Sequence, residues 1–453
     1  MKNDKKRIVL IATAVVIILL VILLILYFFT DVFKSNKEIF FKSISQKEFI
    51  NYSFIENVKD NFDKKEENSV SNLNLNVFGI TLNQQTNVAD TQKILEIKSN
   101  RLNNKNLNQT YTDFTFFDET KQLTTAKIIK DGNKYAFGAD NILTKYVAVE
   151  NKELRSFLSK LGIKEVDKFP NTINNNYSEL LNADKDTINK IKETYGKILY
   201  DNIDKNNFEK IKNTDKTHSI ILKLNQKEFT NIQNILLENA KNDDVLLNYI
   251  TTKTQVAGYN NLNKEYLQKI MQEKINNNLQ KTFNNDETYF AIKITISNKE
   301  IINIEIKNDI YNINVDISNK ELIKINIQKS QTNYMEINIG YTDDNLNNKM
   351  EINIVNHIKN QTFNMLYESS NKEKNNITEN ANISFNNNSK DIQISITNII
   401  NLKEDIQIEK LTTDNTIMLN DYAPENLKIL VEAIKDRINQ LYGVQIEKIK
   451  TQF

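Results

Sequence analysis

Two stretches decide the fold: Ile294 to Ile306, ITISNKEIINIEI, and Val315 to Ile327, VDISNKELIKINI, the second starting 21 residues after the first. Each has aliphatic side chains at every second position, broken by Ser-Asn-Lys-Glu, and so reads as two one-sided strands joined by a tight turn. The same period runs through Ile292, Ile294, Ile296, then Ile302, Ile304, Ile306, then Ile313, Val315, Ile317, then Ile323, Ile325, Ile327. It persists from Tyr289 to Leu411 with Asn, Lys, Glu and Thr between. Strands with one apolar and one polar face pair as an antiparallel meander, one face packed and one wet. Ser-Asn-Lys-Glu also occurs at Ser35, where it opens a helix, and at Ser370, where a linker is expected. Its meaning is set by context.

Upstream of the meander, His218 to Leu224 reads as one strand, followed by two amphipathic helices. The first starts at Asn225 with Glu228 three residues on and carries Phe229, Ile232 and Leu236. The second carries Leu267, Ile270, Met271, Ile275 and Leu279. Helices are also expected between Asn151 and about Phe208, with Leu154, Phe157, Leu158 and Leu161 on one face, Gly162 as the stop and a break at Phe169-Pro170. From Ser69 to Val149 the period returns to two, and Asp131-Gly132 between Ala126 to Ile128 and Tyr135 to Phe137 marks a hairpin. Ser35 and Glu38 have the spacing of a capping box, which places a juxtamembrane helix to about residue 62. Downstream, Pro424 starts a last helix striped by Leu427, Leu430, Val431, Ile434, Ile438 and Leu441. Six such side chains at roughly 1.5 to 3 kcal/mol each require a docking surface, and the nearest is the inner face of the meander. We therefore expect Ile434 and Ile438 to be buried and the helices to cover the whole apolar face.

Ile8 to Phe29 is free of charge, and 22 residues suffice to cross a hydrocarbon core of ~30 Å. No small-residue cleavage site follows Tyr27, Phe28 and Phe29, so the run reads as an uncleaved anchor rather than a signal peptide. Lys2, Lys5, Lys6 and Arg7 keep the N-terminus cytoplasmic and the rest of the chain outside. The expected organisation is a cytoplasmic N-terminus (1–7), a transmembrane helix (8–29), a juxtamembrane helix and linker (30–66), a β-rich subdomain followed by helices (67–212), and a strand, helical pair, meander and C-terminal helix (213–453). The fold class is α+β: an N-terminal transmembrane helix, then curved antiparallel sheet packed against amphipathic helices.

Composition narrows the chemistry. The 453 residues carry 59 basic and 58 acidic side chains, a balance that argues against nucleic acid as a partner. The 73 Asn and 63 Ile alternate in strand-like runs rather than forming polar tracts. Cys is absent, which excludes disulfides, thiolate metal sites, cysteine nucleophiles and a lipid-modified N-terminal cysteine. Only His218 and His357 are available for imidazole chemistry, and neither belongs to a zinc-binding pattern. His218 shares the register of Ile220, Leu222 and Leu224 and reads as a half-buried strand residue; His357 reads as a solvated one. Ser369 and Lys372 have Ser-x-x-Lys spacing but stand in a polar connection without the companion motifs of penicillin-binding enzymes. Asp343-Asp344 lacks the Gly and Glu of a calcium loop and reads as a hairpin turn. The eight glycines are isolated, so no phosphate loop can be built, and the absence of Trp disfavours a sugar site. No catalytic, cofactor-binding or metal residues are assigned, and no cofactor.

The stretch Tyr146-Val147-Ala148-Val149-Glu150-Asn151-Lys152-Glu153-Leu154, continuing through Leu161-Gly162-Ile163 to Phe169-Pro170, resembles a segment of single-pass membrane-anchored proteins of clostridial-type, AT-rich bacteria. The resemblance implies an anchor and a β-rich body, and carries no catalytic residues. In architecture, strand-rich halves enclosing helices are similar to the half-barrel of the lipoprotein-carrier proteins of the LolA and LolB type. The expected function is a non-enzymatic, membrane-anchored binding or scaffolding protein of the bacterial cell envelope, partnered by envelope proteins or lipid. The alternative is a carrier or sensor of lipid or another hydrophobic ligand on an apolar sheet face.

Overall fold

The structure is a computed structural model and describes residues 35–47, 52–83, 88–118, 120–163, 184–215, 217–256, 262–281, 283, 287–343, 347–373, 375–387 and 390–452. Helices α1 (Asn36–Gln46) and α2 (Tyr52–Lys65) precede strands β1 (Ser69–Asn83), β2 (Val88–Asn104), β3 (Gln109–Asp118), β4 (Lys121–Asp131), β5 (Lys134–Ala139) and β6 (Tyr146–Glu150). Then come α3 (Leu154–Lys160), α4 (Lys185–Asn202), β7 (Phe208–Lys212), β8 (His218–Asn225), α5 (Gln226–Lys241), α6 (Asp244–Val256) and α7 (Lys264–Leu279). The long strand series is β9 (Thr288–Ser297), β10 (Glu300–Asn308), β11 (Tyr311–Asn319), β12 (Leu322–Lys329), β13 (Thr332–Asp343), β14 (Asn347–Asn356), β15 (Gln361–Glu373), β16 (Asn376–Asn387) and β17 (Lys390–Leu402). A short β18 (Thr416–Met418) and helix α8 (Pro424–Gln452) end the chain. The class is α+β; among the described residues eighteen strands form, those from β7 to β12 and from β14 through β17 and β1 to β6 pairing antiparallel, and β18 running parallel to β6.

Two compact units divide the chain, and each takes two separate segments: Met1–Tyr52 with Asn182–Asn338, and Ser53–Leu181 with Ile339–Phe453. The consecutive segments 67–212 and 213–453 expected from sequence do not coincide with these units. The reason is register: β1 pairs along its length with β17, Ser69 facing Leu402, so the early strands belong with the late ones. The expected transmembrane helix, residues 8–29, and the break at Phe169-Pro170 lie outside the described residues. Among the described residues no helix is long and apolar enough to cross a membrane.

In the first unit, β7, β8, β9, β10, β11 and β12 pair in chain order. Strand β9 shows the expected alternation, with Phe290, Ile292, Ile294 and Ile296 buried and their neighbours half-buried. In β10 a bulge between Ile301 and Asn303 shifts the pattern, so Ile301 and Ile304 are buried and Ile302 is only half-buried. Over these strands lies α1, whose capping box is formed by Glu38 N–H donating to Ser35 Oγ at 3.3 Å and Ser35 N–H donating to Glu38 Oε2 at 2.8 Å. Its Phe40, Phe41 and Ile44 are at most 2% exposed and join Ile220, Leu222, Ile294 and Ile232 of α5 in one core. A second core is made by helices alone: Ile191 and Tyr195 of α4, Leu237 of α5, Leu246 and Leu247 of α6, Met271 and Ile275 of α7. Sequence reading expects two helices after β8, whereas three form, because α6 is short and follows α5 after a two-residue break. Leu279, placed on the α7 stripe, is 72% exposed where the helix ends.

In the second unit the order is β14, β15, β16, β17, β1, β2, β3, β4, β5, β6, with β18 on the far side of β6. The Asp131-Gly132 hairpin forms, with Gly132 at φ +59°, and Gly162 ends α3 at φ +80°. Ile129, Ala136 and Ala148 form the buried centre on β4 to β6, packed with Ile408, Leu411 and Met418 from the chain that returns across them. Helix α8 does not cover the meander as expected. It touches β2, donates from Arg437 Nε to the Asn141 carbonyl at 3.2 Å and from Tyr442 OH to the Leu123 carbonyl at 3.0 Å. Leu427 is fully buried, but Ile434 and Ile438 are half-buried and Val431 and Val444 exposed. The helix is therefore seated at β2, Leu123 and Asn141 rather than on the meander.

Candidate functional site

Strands β14 to β17 and β1 carry their residues in straight cross-strand rows, because their registers run without a shift through the middle of the strands. One row is Met350, Tyr367, Ala381, Ile396 and Leu75; the next is Ile352, Met365, Ile383, Ile394 and Val77; the third is Ile354, Phe363, Phe385, Ile392 and Gly79. Alternation puts all three rows on one face. They make an apolar strip roughly 20 Å across the strands and about 14 Å along them, from strand spacing and rise. Apart from Val77, which is buried, these side chains are half-buried or, for Phe385, 38% exposed. None of the fifteen positions belongs to any of the three buried cores among the described residues. Among the described residues, coverage by helices thus holds over β8 to β10, and none of the three cores extends to these rows.

Polar rows border the strip on both sides. One is Asn356, Gln361 and Asn387. The other, polar over β14 to β17, is Asn348, Ser369, Glu379 and Asn398, continuing to Leu73 on β1, and α2 lies on it. Asn57 Nδ2 donates to Asp343 Oδ1 at 3.0 Å and to Asn348 Oδ1 at 3.3 Å. Asn61, fully buried, donates to Ser369 Oγ at 3.2 Å and accepts from Asn371 Nδ2 at 3.2 Å. Lys65 Nζ stands 2.6 Å from Glu379 Oε2, and the same carboxylate accepts from Asn398 Nδ2 at 2.8 Å and from Tyr367 OH at 3.2 Å. Burial first, and the Glu379 charge second, push the Tyr367 phenol well up, so it stays a donor. This row is closed by its own partners and offers no free nucleophile.

The opposite face of the same strands carries a shallow depression of about 270 Å³, lined by Glu351, Asn353, Asn364, Leu366, Asn382, Ser384 and Gln393 together with Ile352, Met365 and Ile383 between them. Asn353 Nδ2 donates to Asn364 Oδ1, and Asn364 Nδ2 to Ser384 Oγ at 3.1 Å. The amides bond to each other across the strands and the depression is smaller than the ~300 to 1,000 Å³ of ordinary ligand sites.

The individual residues weighed from sequence separate widely. His218 is half-buried at the start of β8, facing Ile296 and Lys212; burial, then the Lys210 charge, lowers its pKa. His357 is exposed in the turn after β14. Ser369 lies in β15 rather than in a connection, because the strand runs on to Glu373; the Ser-x-x-Lys segment therefore lacks the helix that pairs its two side chains in penicillin-binding enzymes. Asp343 ends β13 as an acceptor for Asn57, and residues 344–346 lie outside the described residues. Among the described residues no group of three or more His, Asp or Glu is gathered for a metal ion. The apolar strip itself is legible as alternation, but its place outside the cores of the described residues is not, since sequence period cannot say where a helix docks.

No family model matches the chain, and no curated protein matches it. Among solved structures, the translocator domain of autotransporter NalP from Neisseria meningitidis aligns with 77% of this chain and 92% of its own, at 5% identity and a TM-score of 0.20. The CymD monoaromatic hydrocarbon channel aligns over 79% and 94%, at 5% identity and a TM-score of 0.21. A variant of the Rh. blastica porin aligns over 73% and 99%, at 8% identity and a TM-score of 0.17. What this chain shares with them at that level is distant, long antiparallel strands, and it assigns neither a closed barrel nor an activity.

Proposed function

We propose that the protein is a non-enzymatic binding protein of the bacterial cell envelope, held in the cytoplasmic membrane by residues 8–29, and that it takes a lipid acyl chain or similar hydrophobic ligand on the strip of β14 to β17 and β1. The observation that carries this reading is the strip: three apolar rows, rimmed by polar rows and outside every buried core. Apolar surface of that kind, bordered by polar residues, is seldom left on a soluble face without a binding role. One leaflet of a bilayer is about 15 Å of hydrocarbon, half of the ~30 Å core, and a strip roughly 20 Å long accommodates such a chain. The carrier reading therefore gains over the scaffold.

The test is photo-crosslinking in native membranes with a diazirine fatty acid, followed by peptide mapping of the full-length chain. Label on peptides of β14 to β17 is expected beside label on residues 8–29, which serve as the internal standard. Ile383→Lys should remove the first and leave the second. Label confined to residues 8–29 overturns the proposal. Ile304→Lys would not serve as the test, because Ile304 is only 5% exposed within the filled core. For location, Lys320→Cys places a single thiol at an exposed turn, and reaction with an impermeant reagent on intact cells checks that the sheet is outside.

A further inference from the structure

We infer that helix α2 is a releasable strap over one border of the apolar strip, pinned at its C-terminal end and able to lift from Asn57 and Asn61. The geometry is a juxtaposition of two kinds of helix seat. Where α1 meets its sheet it inserts Phe40, Phe41 and Ile44, all apolar and nearly inaccessible. Where α2 meets its sheet, the helical face defined by positions 54, 57, 58, 61 and 65 mixes the buried Phe54 and half-buried Val58 with Asn, Asn and Lys. Asn57 and Asn61 reach the sheet by amide hydrogen bonds of 3.0 to 3.3 Å, and Lys65 by an ion pair.

A hydrogen-bonded amide exchanges its protein partner for water at small net loss, whereas a buried aliphatic side chain does not. A helix seated in large part through amides, with Phe54 as its one buried apolar anchor among the described side chains, is therefore drawn from the low-stability end of local opening. The C-terminal end is held differently. Arg101 pairs with Glu66 at 2.7 Å, and Asn103 Nδ2 donates to the Glu66 and Glu67 carbonyls at 2.8 and 2.9 Å, just before the chain enters β1. Opening consequently hinges at Glu66 and uncovers Ser369, next to Tyr367 and Met365 of the strip. That the opening admits a ligand rests on the function proposed above; the opening itself does not.

The chain contains no cysteine, so Ser369→Cys, buried at 3% exposure beneath α2, and Ser219→Cys, fully buried inside the first unit, each report a single thiol. With the full-length protein in nanodiscs, Ser369→Cys should react with a thiol reagent at least about tenfold faster than Ser219→Cys, as sub-global opening outruns global opening. Hydrogen exchange on the unmodified chain gives the second measurement, and it stands even where a cysteine variant fails to fold. Amides of residues 54–65 should exchange at least about tenfold faster than the paired amides of β15 and β16. Equal thiol rates, or α2 protection equal to that of the strands, overturn the strap. Faster exchange in α2 that a fatty acid leaves unaltered, together with absent crosslinking on the strip, keeps the strap and removes the ligand reading.

Discussion

The two units solve one problem in opposite ways. Both hold antiparallel strands with an aliphatic face, yet over β8 to β10 of the first unit that face is sealed by Phe40, Phe41, Ile44 and Ile232, while over β14 to β17 and β1 of the second it is bordered by polar residues and lies outside the three buried cores of the described residues. The difference does not come from the strands, since Ile294 and Ile394 stand in nearly identical Ile-alternating surroundings. It comes from the helices. Those of the first unit bring aromatic and aliphatic side chains to the sheet; α2 brings amides and a lysine beside Phe54, and α8 docks elsewhere. A strand pattern therefore specifies which face is apolar, and the helix composition specifies whether that face becomes core.

The comparison breaks most sharply at matched isoleucines. Ile294→Asp places a carboxylate in a fully buried site and should cost roughly 3 to 5 kcal/mol, enough to unfold the first unit at moderate denaturant. Ile394→Asp, half-buried on the strip, should cost about 1 kcal/mol or less. Equal losses in chemical denaturation would mean the strip is sealed as thoroughly as the core. Next in size, Phe41→Ala should remove about 3 kcal/mol or more from the first unit, and circular dichroism melting should show a clear fall in its midpoint. Within the second unit, Leu427→Ala, at 1% exposure, should cost roughly 2 to 4 kcal/mol, whereas Val444→Ala, 80% exposed, should shift the midpoint of the same transition by no more than its error. The smallest effect concerns pH. Because burial lowers the His218 pKa in the fold, the neutral form is favoured there, and the associated stability is complete above the ordinary value near 6.5. It is lost as pH falls through the lower folded value, and His218→Gln should flatten that acid limb in a denaturation series between about pH 7 and 5.

Much of the fold could be read before any coordinates. The hairpin at Asp131-Gly132, the caps at Ser35 and Asn225, the stop at Gly162 and the alternating strands all formed, because each depends on local backbone chemistry. The repeat around Ser-Asn-Lys-Glu shows where locality ends. At Asn298 and Lys299 the segment turns through two left-handed residues, while at Asn319 the side chain accepts from Glu321 N–H at 2.9 Å in a looser turn after a register shift. At Ser370 the same letters lie in a strand. The strip is half legible: its apolar rows follow from period two, but the polar seat of α2 on its border depends on Asn57, Asn61 and Lys65 facing the sheet, which no strand pattern encodes.

The pairing of Ser69 with Leu402 has a consequence for biogenesis. During synthesis β1 and β2 can zip together early, yet the other edge of β1 must await β17, more than three hundred residues later. At about 5 to 20 residues per second that edge stands open for on the order of 15 to 60 seconds. An unpaired strand of this length invites wrong partners, including a neighbouring nascent copy. Asn72, Asn74 and Asn76, alternating with Leu73, Leu75 and Val77, make it a half-polar ribbon. The order of emergence, rather than the finished structure, is then the stage at which this chain is most exposed to aggregation.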